Sequence, residues 1–432
     1  MQEHCTAPDG HEPFMIPGET KQPFVGRWRV FDVFVFCALA LLNLNTVGPD
    51  PGDFLFPCLL VTGVLLGYLH LRDLRFSSAL KMLFFGFIVF YAISNIAGRP
   101  VSAALGHLAS NIVLFCFLKL YVVSPERMRR VLFAILFGAV ASSTLAAAAM
   151  LRLWNPPRSI FYPVFEEASG RFMALLADPS VLAIVTVFLG VWLLDEVLRP
   201  KLWIGSIGLK VMFFVLALLQ VAVTATRSGW LNLGVALTCY FLIELKRRSP
   251  GRKHVLVAAV LIASLGGLAL VPGSAYRRIL QDRVKSFVNP TVYNYDESDR
   301  MSFYYTIRAI GLARDNPWGL GSGRTETLFQ SELTGGNLGA HNTYVQIMSD
   351  NGWATFLFFM SILGCIGLAV IRKMIMHDES HFGFSYQVLF SGLAGLAVEG
   401  MFHDLIGWNL AWLLPSLAAI LLWPAIQRNP VV

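Results

Sequence analysis

Charge is scarce in this chain. Only 14% of its 432 residues are Asp, Glu, Lys or Arg, against about 25% in soluble domains. With 56% hydrophobic residues and a mean hydropathy of +0.60, that deficit excludes the soluble globular classes. Cysteine is sparse and unpaired: Cys5 lies in the polar N-terminal stretch, and Cys37, Cys58, Cys116, Cys239 and Cys365 fall within apolar runs. A disulfide or zinc framework is therefore not expected. No convincing internal repeat or low-complexity tract occurs. Despite a net charge of +7, there is no basic soluble module of the kind that nucleic acid needs. Carboxylates with the spacing of an EF-hand or nucleotide-sugar metal site are also lacking. Asp50 and Asp53, and the cluster Asp296, Glu297 and Asp299, read as solvated loop charges. Neither a metal nor a cofactor is expected.

What is present is a series of long apolar runs, each suited to cross roughly 30 Å of hydrocarbon as a helix. They lie near 30–47, 54–70, 79–97, 101–123, 131–151, 179–198, 203–223, 228–245, 254–272, 352–371, 385–403 and 406–425. The expected fold is an all-α polytopic integral membrane protein with about twelve transmembrane helices. Residues 1–28, with Pro8, Pro13, Pro17 and Pro23, form a polar tail without a small-residue cleavage site. Residues 29–432 form one membrane domain, with a large loop over 273–342 between the ninth and tenth spans.

Lys and Arg alternate between loops. One set carries Arg27 and Arg29, Arg72 and Arg75, Arg127, Arg129 and Arg130, Arg199 and Lys201, Lys246 to Arg248, and Arg372 and Lys373. The short loops of the other set hold little beyond Arg99 and Arg227. The positive-inside rule then makes both termini cytoplasmic. The long loops 152–178 and 273–342 face outward, to the periplasm if the membrane is a bacterial inner membrane.

The chemistry-bearing residues gather on that outward side. Arg227 sits in Thr224-Ala225-Thr226-Arg227-Ser228-Gly229-Trp230, a tight turn between two spans. It reads either as a snorkelling interface residue or, beside the free N–H groups that open the next helix, as a phosphate ligand. Arg171 has the same two readings. Asp178-Pro179 marks a helix start, with the aspartate as cap. The large loop carries helical patterns near 275–288 and 300–314, and Arg300, Tyr304, Arg308 and Arg314 share one broad face of the second. A cation at a helix start opposes the macrodipole, so Arg300 invites an anionic partner. Arg308 and Arg314 fit a solvated basic face. Pro317-Trp318-Gly319-Leu320-Gly321-Ser322-Gly323-Arg324 follows, flexible enough for tight turns but a weak phosphate-loop signal. At the junction with the next span stand His341 and Asn342. A lone histidine is commonly structural, yet an imidazole at a membrane mouth can accept a hydroxyl proton near neutral pH. His403 and Asp404, at a later outside edge, form a candidate supporting pair.

At these residues the chain resembles the O-antigen ligase family. Its hallmark places His, then Asn, Ser or Gln, nine residues, Gly, two residues, and Gly, Thr or Tyr. Here His341, Asn342, Gly352 and Thr355 match it. Arg227-Ser228-Gly229-Trp230 and Arg300 upstream of Pro317-Trp318-Gly319-Leu320-Gly321 also look like that family, as does the overall layout. The resemblance implies a GT-C-like, metal-independent, inverting transfer of polysaccharide from an undecaprenyl pyrophosphate donor to a lipid A–core hydroxyl, in lipopolysaccharide biosynthesis at the bacterial inner membrane. His341 would be the base, and Arg227, Arg300 and Arg171 would hold the pyrophosphate. Asn342, Gly352, Trp230, Arg324 and Arg308 would support them. Partners would be the two lipid-linked substrates and membrane lipids, with no nucleic acid. An O-antigen polymerase or a related oligosaccharide transferase is the nearest alternative. A lipid or polysaccharide flippase or transporter is the alternative from another class, with Glu399 and Lys119 near spans as its main support; Lys210 fits simple snorkelling.

Overall fold

A computed structural model describes residues 29–42, 51–74, 76–98, 100, 102–150, 152–153, 165–166, 171–172, 179–199, 206–224, 226–247, 297–332, 340–376, 380, 384–405 and 409–423. In chain order the helices are α1 (Val30–Leu41), α2 (Pro51–Leu65), α3 (Ser78–Ala97), α4 (Ser102–Tyr121), α5 (Pro125–Met150), α6 (Pro179–Leu198), α7 (Ile207–Thr224) and α8 (Arg227–Arg247). After the large loop come α9 (Glu297–Asp315), α10 (Arg324–Glu332), α11 (Thr343–Met376), α12 (Tyr386–Glu399) and α13 (Asn409–Leu422). The tail 1–28, the expected span 254–272 and the helical pattern at 275–288 lie outside the described residues. Every other expected run coincides with a helix.

Ser78–Ala97, Pro125–Ala149, Ser180–Leu198, Ser228–Arg247 and Thr343–Met376 are long and apolar enough to cross a membrane. The chain is a multi-pass membrane protein. Burial sorts these helices. The apolar window of α6 is wholly buried, whereas only 17% of the α3 window is. An apolar surface all round suits either protein or lipid, so burial inside the fold distinguishes the hub from the rim. The hub α6 contacts α5, α7, α8, α12 and α13, while α3 packs on α11. Trp192, Phe188 and Leu189 of α6 join Phe384, Leu389 and Leu414 in the main core.

Several features differ from the expectation. The described residues include one short ladder, β1 (Phe165–Glu166) with β2 (Arg171–Phe172), in which Glu166 pairs with Arg171 across antiparallel strands. Helix α9 begins at Glu297, three residues before Arg300, so Glu297 and Asp299 occupy its first turn. By backbone position these two residues belong to a helix and not to a loop. Asp53 likewise falls in the first turn of α2. Lys210 does not snorkel: it is 2% exposed, with Nζ 3.7 Å from the Glu196 carboxylate. The run expected over 352–371 is the inner part of α11, which starts at Thr343 and is broken at Gly352 (φ 82°, ψ 168°). Its first turns carry buried Gln346, Ser349, Asp350 and Asn351, and polar residues of this kind hide a helix from a hydropathy window.

Candidate active site

His341 lies in a turn pinned from both sides. Before it, the Ala340 carbonyl accepts a hydrogen bond from Thr306 Oγ1 at 2.8 Å, and the Ala340 N–H donates to Gln346 Oε1 at 2.9 Å. After it, Asn342 caps α11, its Oδ1 accepting from the N–H groups of Tyr344 (3.0 Å) and Val345 (3.1 Å). The Asn342 amide also donates to the Met401 carbonyl at 3.0 Å. Thr343 donates its N–H to Gly400 O (2.8 Å) and His403 O (3.0 Å), and its hydroxyl to His403 O at 2.6 Å. The turn following α12 is thus clamped onto the turn preceding α11.

Between these clamps His341 is half-buried in a left-handed backbone conformation, φ 48°. Histidine visits that region more readily than branched residues, yet it costs a non-glycine residue about 1–2 kcal/mol. Such strain persists only where the surroundings over-determine it.

The rest of the hallmark serves architecture. Gly352 crosses the loop between α9 and α10: a Cβ there would sit 2.6 Å from Pro317 O, and one on Gly319 (φ 90°) would sit 2.4 Å from Asp350 O. The Trp353 N–H donates to Pro317 O, and Leu320 and Gly321 N–H donate to Ser349 O and Asp350 O. Thr355 bonds back to Asn351 O at 2.7 Å. The glycine-rich segment is therefore not a phosphate cradle in this fold. Gly323 N–H donates to Asp350 Oδ2 (2.8 Å), Thr325 N–H to Asp350 Oδ1 (2.8 Å), and Gln346 Nε2 to Asp350 Oδ2 (2.7 Å). A fully buried carboxylate is costly unless donors surround it, and here the loop supplies them. Asp350 and Gln346 were absent from the sequence candidates; the Asn351-Gly352 turn signal was the one local clue. Beside them in α10, burial first and the Asp350 charge second push the Glu326 carboxyl above the usual glutamate range.

A second histidine joins the opposite wall. His403 Nε2 lies 2.9 Å from both Ser180 Oγ and Ser228 Oγ, and 3.6 Å from Glu399 Oε1. Asn232 Nδ2 donates to Glu399 Oε2 at 3.3 Å. The imidazole faces the first turns of α6 and α8. Arg227 opens α8 immediately before Ser228, and Gly229 lets α8 approach α6 closely, since a Cβ there would meet Ala183 Cβ at 2.7 Å.

The fold thus brings the His341 turn, the α12–α13 turn and the Arg227 turn into one hydrogen-bonded unit. The side chains of Arg171, Arg227 and Arg300 lie outside the described residues. Arg171 is placed on β2, against α7, and Arg300 in the first turn of α9. Arg308 and Arg314 are exposed on α9, opposite Tyr305, Ala309 and Ala313, which pack on Val345 and Met348. Trp230 packs against the main core. Arg324 opens α10, its N–H bonded to Gly321 O.

A 240 Å³ cleft between α11, α12 and α13 runs from Thr343, Tyr344 and Gly400 past Phe359, Leu393 and Trp412 to Ile366 and Pro415, with an almost wholly apolar wall. One end therefore lies two residues from His341.

Residues 212–360 match the family described as Wzy_C, O-antigen ligase. The similarity to the O-antigen ligase family covers these 149 of the chain's 432 residues. The match includes Arg227, Arg300, His341, Asn342, Gly352 and Thr355, but neither Arg171 nor His403. No curated protein matches the chain.

Proposed function

We propose that this protein is an O-antigen ligase, transferring a preassembled polysaccharide from undecaprenyl pyrophosphate to a sugar hydroxyl of lipid A–core at the periplasmic face of the bacterial inner membrane. The observation that carries the reading is His341, held in a strained turn two residues before Thr343, which lines one end of an apolar cleft. The cleft that begins there supports this reading. In this reading His341 deprotonates the acceptor hydroxyl, which attacks the anomeric carbon and inverts it. The C–O bond to the pyrophosphate breaks, and Arg227 and Arg300, with Arg171 as a further ligand, stabilise the charge left on the leaving group. General-base help is worth about 10²–10⁴-fold. A sugar hydroxyl is a poor acid, so leaving-group stabilisation carries more of the barrier. The cleft holds part of a substrate's hydrocarbon chain.

Deletion followed by lipopolysaccharide analysis tests this directly. Loss of a ligase leaves full-length polymer on undecaprenyl pyrophosphate and bare core on lipid A. Core bearing one repeat unit would instead identify a polymerase. Purified protein in detergent should convert donor and acceptor without a gradient and in the presence of EDTA. A transporter makes no covalent product, and the buried charges that favour one are tied within the fold: Lys119 donates to the Trp423 carbonyl, and Glu399 accepts from Asn232.

A further inference from the structure

His403 has two separate holds on the site. Its backbone carbonyl accepts from both the N–H and the hydroxyl of Thr343, two residues beyond His341. Its imidazole Nε2 contacts Ser228, one residue beyond Arg227, and Ser180 in the first turn of α6. The ring is 23% exposed, whereas Glu399, one turn earlier on the chain, is wholly buried beside it. Ser180 and Ser228 are 2% and 5% exposed.

A Ser–His–Glu nucleophile is one chemical use of such a group, and the geometry argues against it. In a working triad the hydroxyl and the carboxylate engage opposite ring nitrogens, so that the acid orients the base. Here both hydroxyls and the Glu399 oxygen converge on Nε2. With both hydroxyls at 2.9 Å and the nearest Glu399 oxygen at 3.6 Å from the same nitrogen, these contacts join α6, α8 and the turn after α12 rather than lining up acid, base and nucleophile.

The geometry points to His403 as a positioning residue that sets the Arg227 turn against the His341 turn, with the Glu399 carboxylate, held by Asn232, 3.6 Å from the imidazole. This rests on the roles proposed above for Arg227 and His341. Loosening the clasp leaves both residues present but lets one drift relative to the other. A misplacement of about 1 Å costs on the order of 10²-fold when leaving-group charge must be met as it develops. The loss should therefore fall on kcat and leave KM nearly unchanged.

The test uses the full chain in lipid nanodiscs, with steady-state transfer and hydrogen exchange measured together. His403→Ala should lower kcat by about 10–100-fold, with KM for donor and acceptor within about twofold, and should raise amide exchange over residues 226–230. His403→Gln, whose amide reaches the same hydroxyls, should recover most of the rate and the protection; it also serves if the alanine variant fails to fold. Ser228→Ala should give a loss that overlaps with that of His403→Ala rather than adding to it. The proposal is overturned by wild-type kcat in His403→Ala, by additive losses, or by unchanged exchange over 226–230. If the wild-type protein transfers no glycan at all, the ligase reading falls, and the exchange measurement alone still decides whether the clasp exists.

Discussion

Helices α6, α8 and α12 carry two polar clusters, one at each end of the same three-helix unit. At one end, Arg199 of the α6 terminus donates to Asp195, to Ser385 Oγ at 3.3 Å and to Gln387 Oε1 at 3.1 Å, with Glu244 3.8 Å away. Tyr240 OH donates to Asp195 at 2.7 Å. At the other end, about 30 Å along helices of this length, His403 meets Ser180, Ser228 and Glu399. The first cluster is closed: Arg199 and Asp195 side chains are 5% and 4% exposed, and charge answers charge. The second is half-open, built on a histidine and two neutral hydroxyls, and abuts a strained turn and an apolar cleft. The difference separates a cluster that is closed by paired charge from one that stays partly open to its surroundings.

Substitutions at the two ends should separate these roles. The largest effect is expected from His341→Ala or Arg227→Ala, each removing transfer by at least about 10²–10⁴-fold while expression and membrane insertion persist. His341→Gly sharpens this, because glycine relieves the left-handed backbone: the variant should be inactive yet at least as stable in thermal unfolding. Wild-type transfer by either His341 variant would break the assignment. Next, Arg199→Met should destabilise the protein by about 3–5 kcal/mol, since buried acids lose their cation. Activity per folded molecule should hold; a selective loss of turnover with normal stability would erase the contrast between the ends. Gly352→Ala should cost about 1–3 kcal/mol, because its Cβ would meet the Pro317 carbonyl at a positive φ. Protease susceptibility of the α9–α10 loop would report it.

The smallest effect concerns pH. The folded state raises the Glu326 carboxyl above its ordinary value, so the folded protein binds this proton more tightly than the unfolded chain does. The resulting penalty is absent below the unfolded glutamate value and grows as pH rises through the folded one. Glu326→Gln should therefore stabilise the protein slightly at pH 7.5 and less at pH 5, measured by unfolding temperature. An equal gain at both pH values would discard this cause.

Much of the helical layout was legible because hydropathy and helix-start signals are local. Pro179 does open α6, and Thr224 and Arg227 bracket the tight turn read between two spans. Helix α10 was missed because nine largely polar residues carry no span signal, and the outer turns of α11 because Gln346, Asp350 and Asn351 are polar yet buried. The hallmark was legible as a spacing but not as a division of labour. Only with the fold do Asn342 and Thr355 become backbone ligands and Gly352 a crossing point.

By itself the sequence determined a multi-pass apolar chain, the places where most of its helices begin and end, and the spacing by which it resembles a known family. These follow from side-chain transfer energies and from geometry within a few residues. The tertiary structure alone decided which polar groups meet. Ser180 and His403 are 223 residues apart in the chain and 2.9 Å apart in space, a proximity set by how α6, α8 and α12 pack, which no local preference encodes.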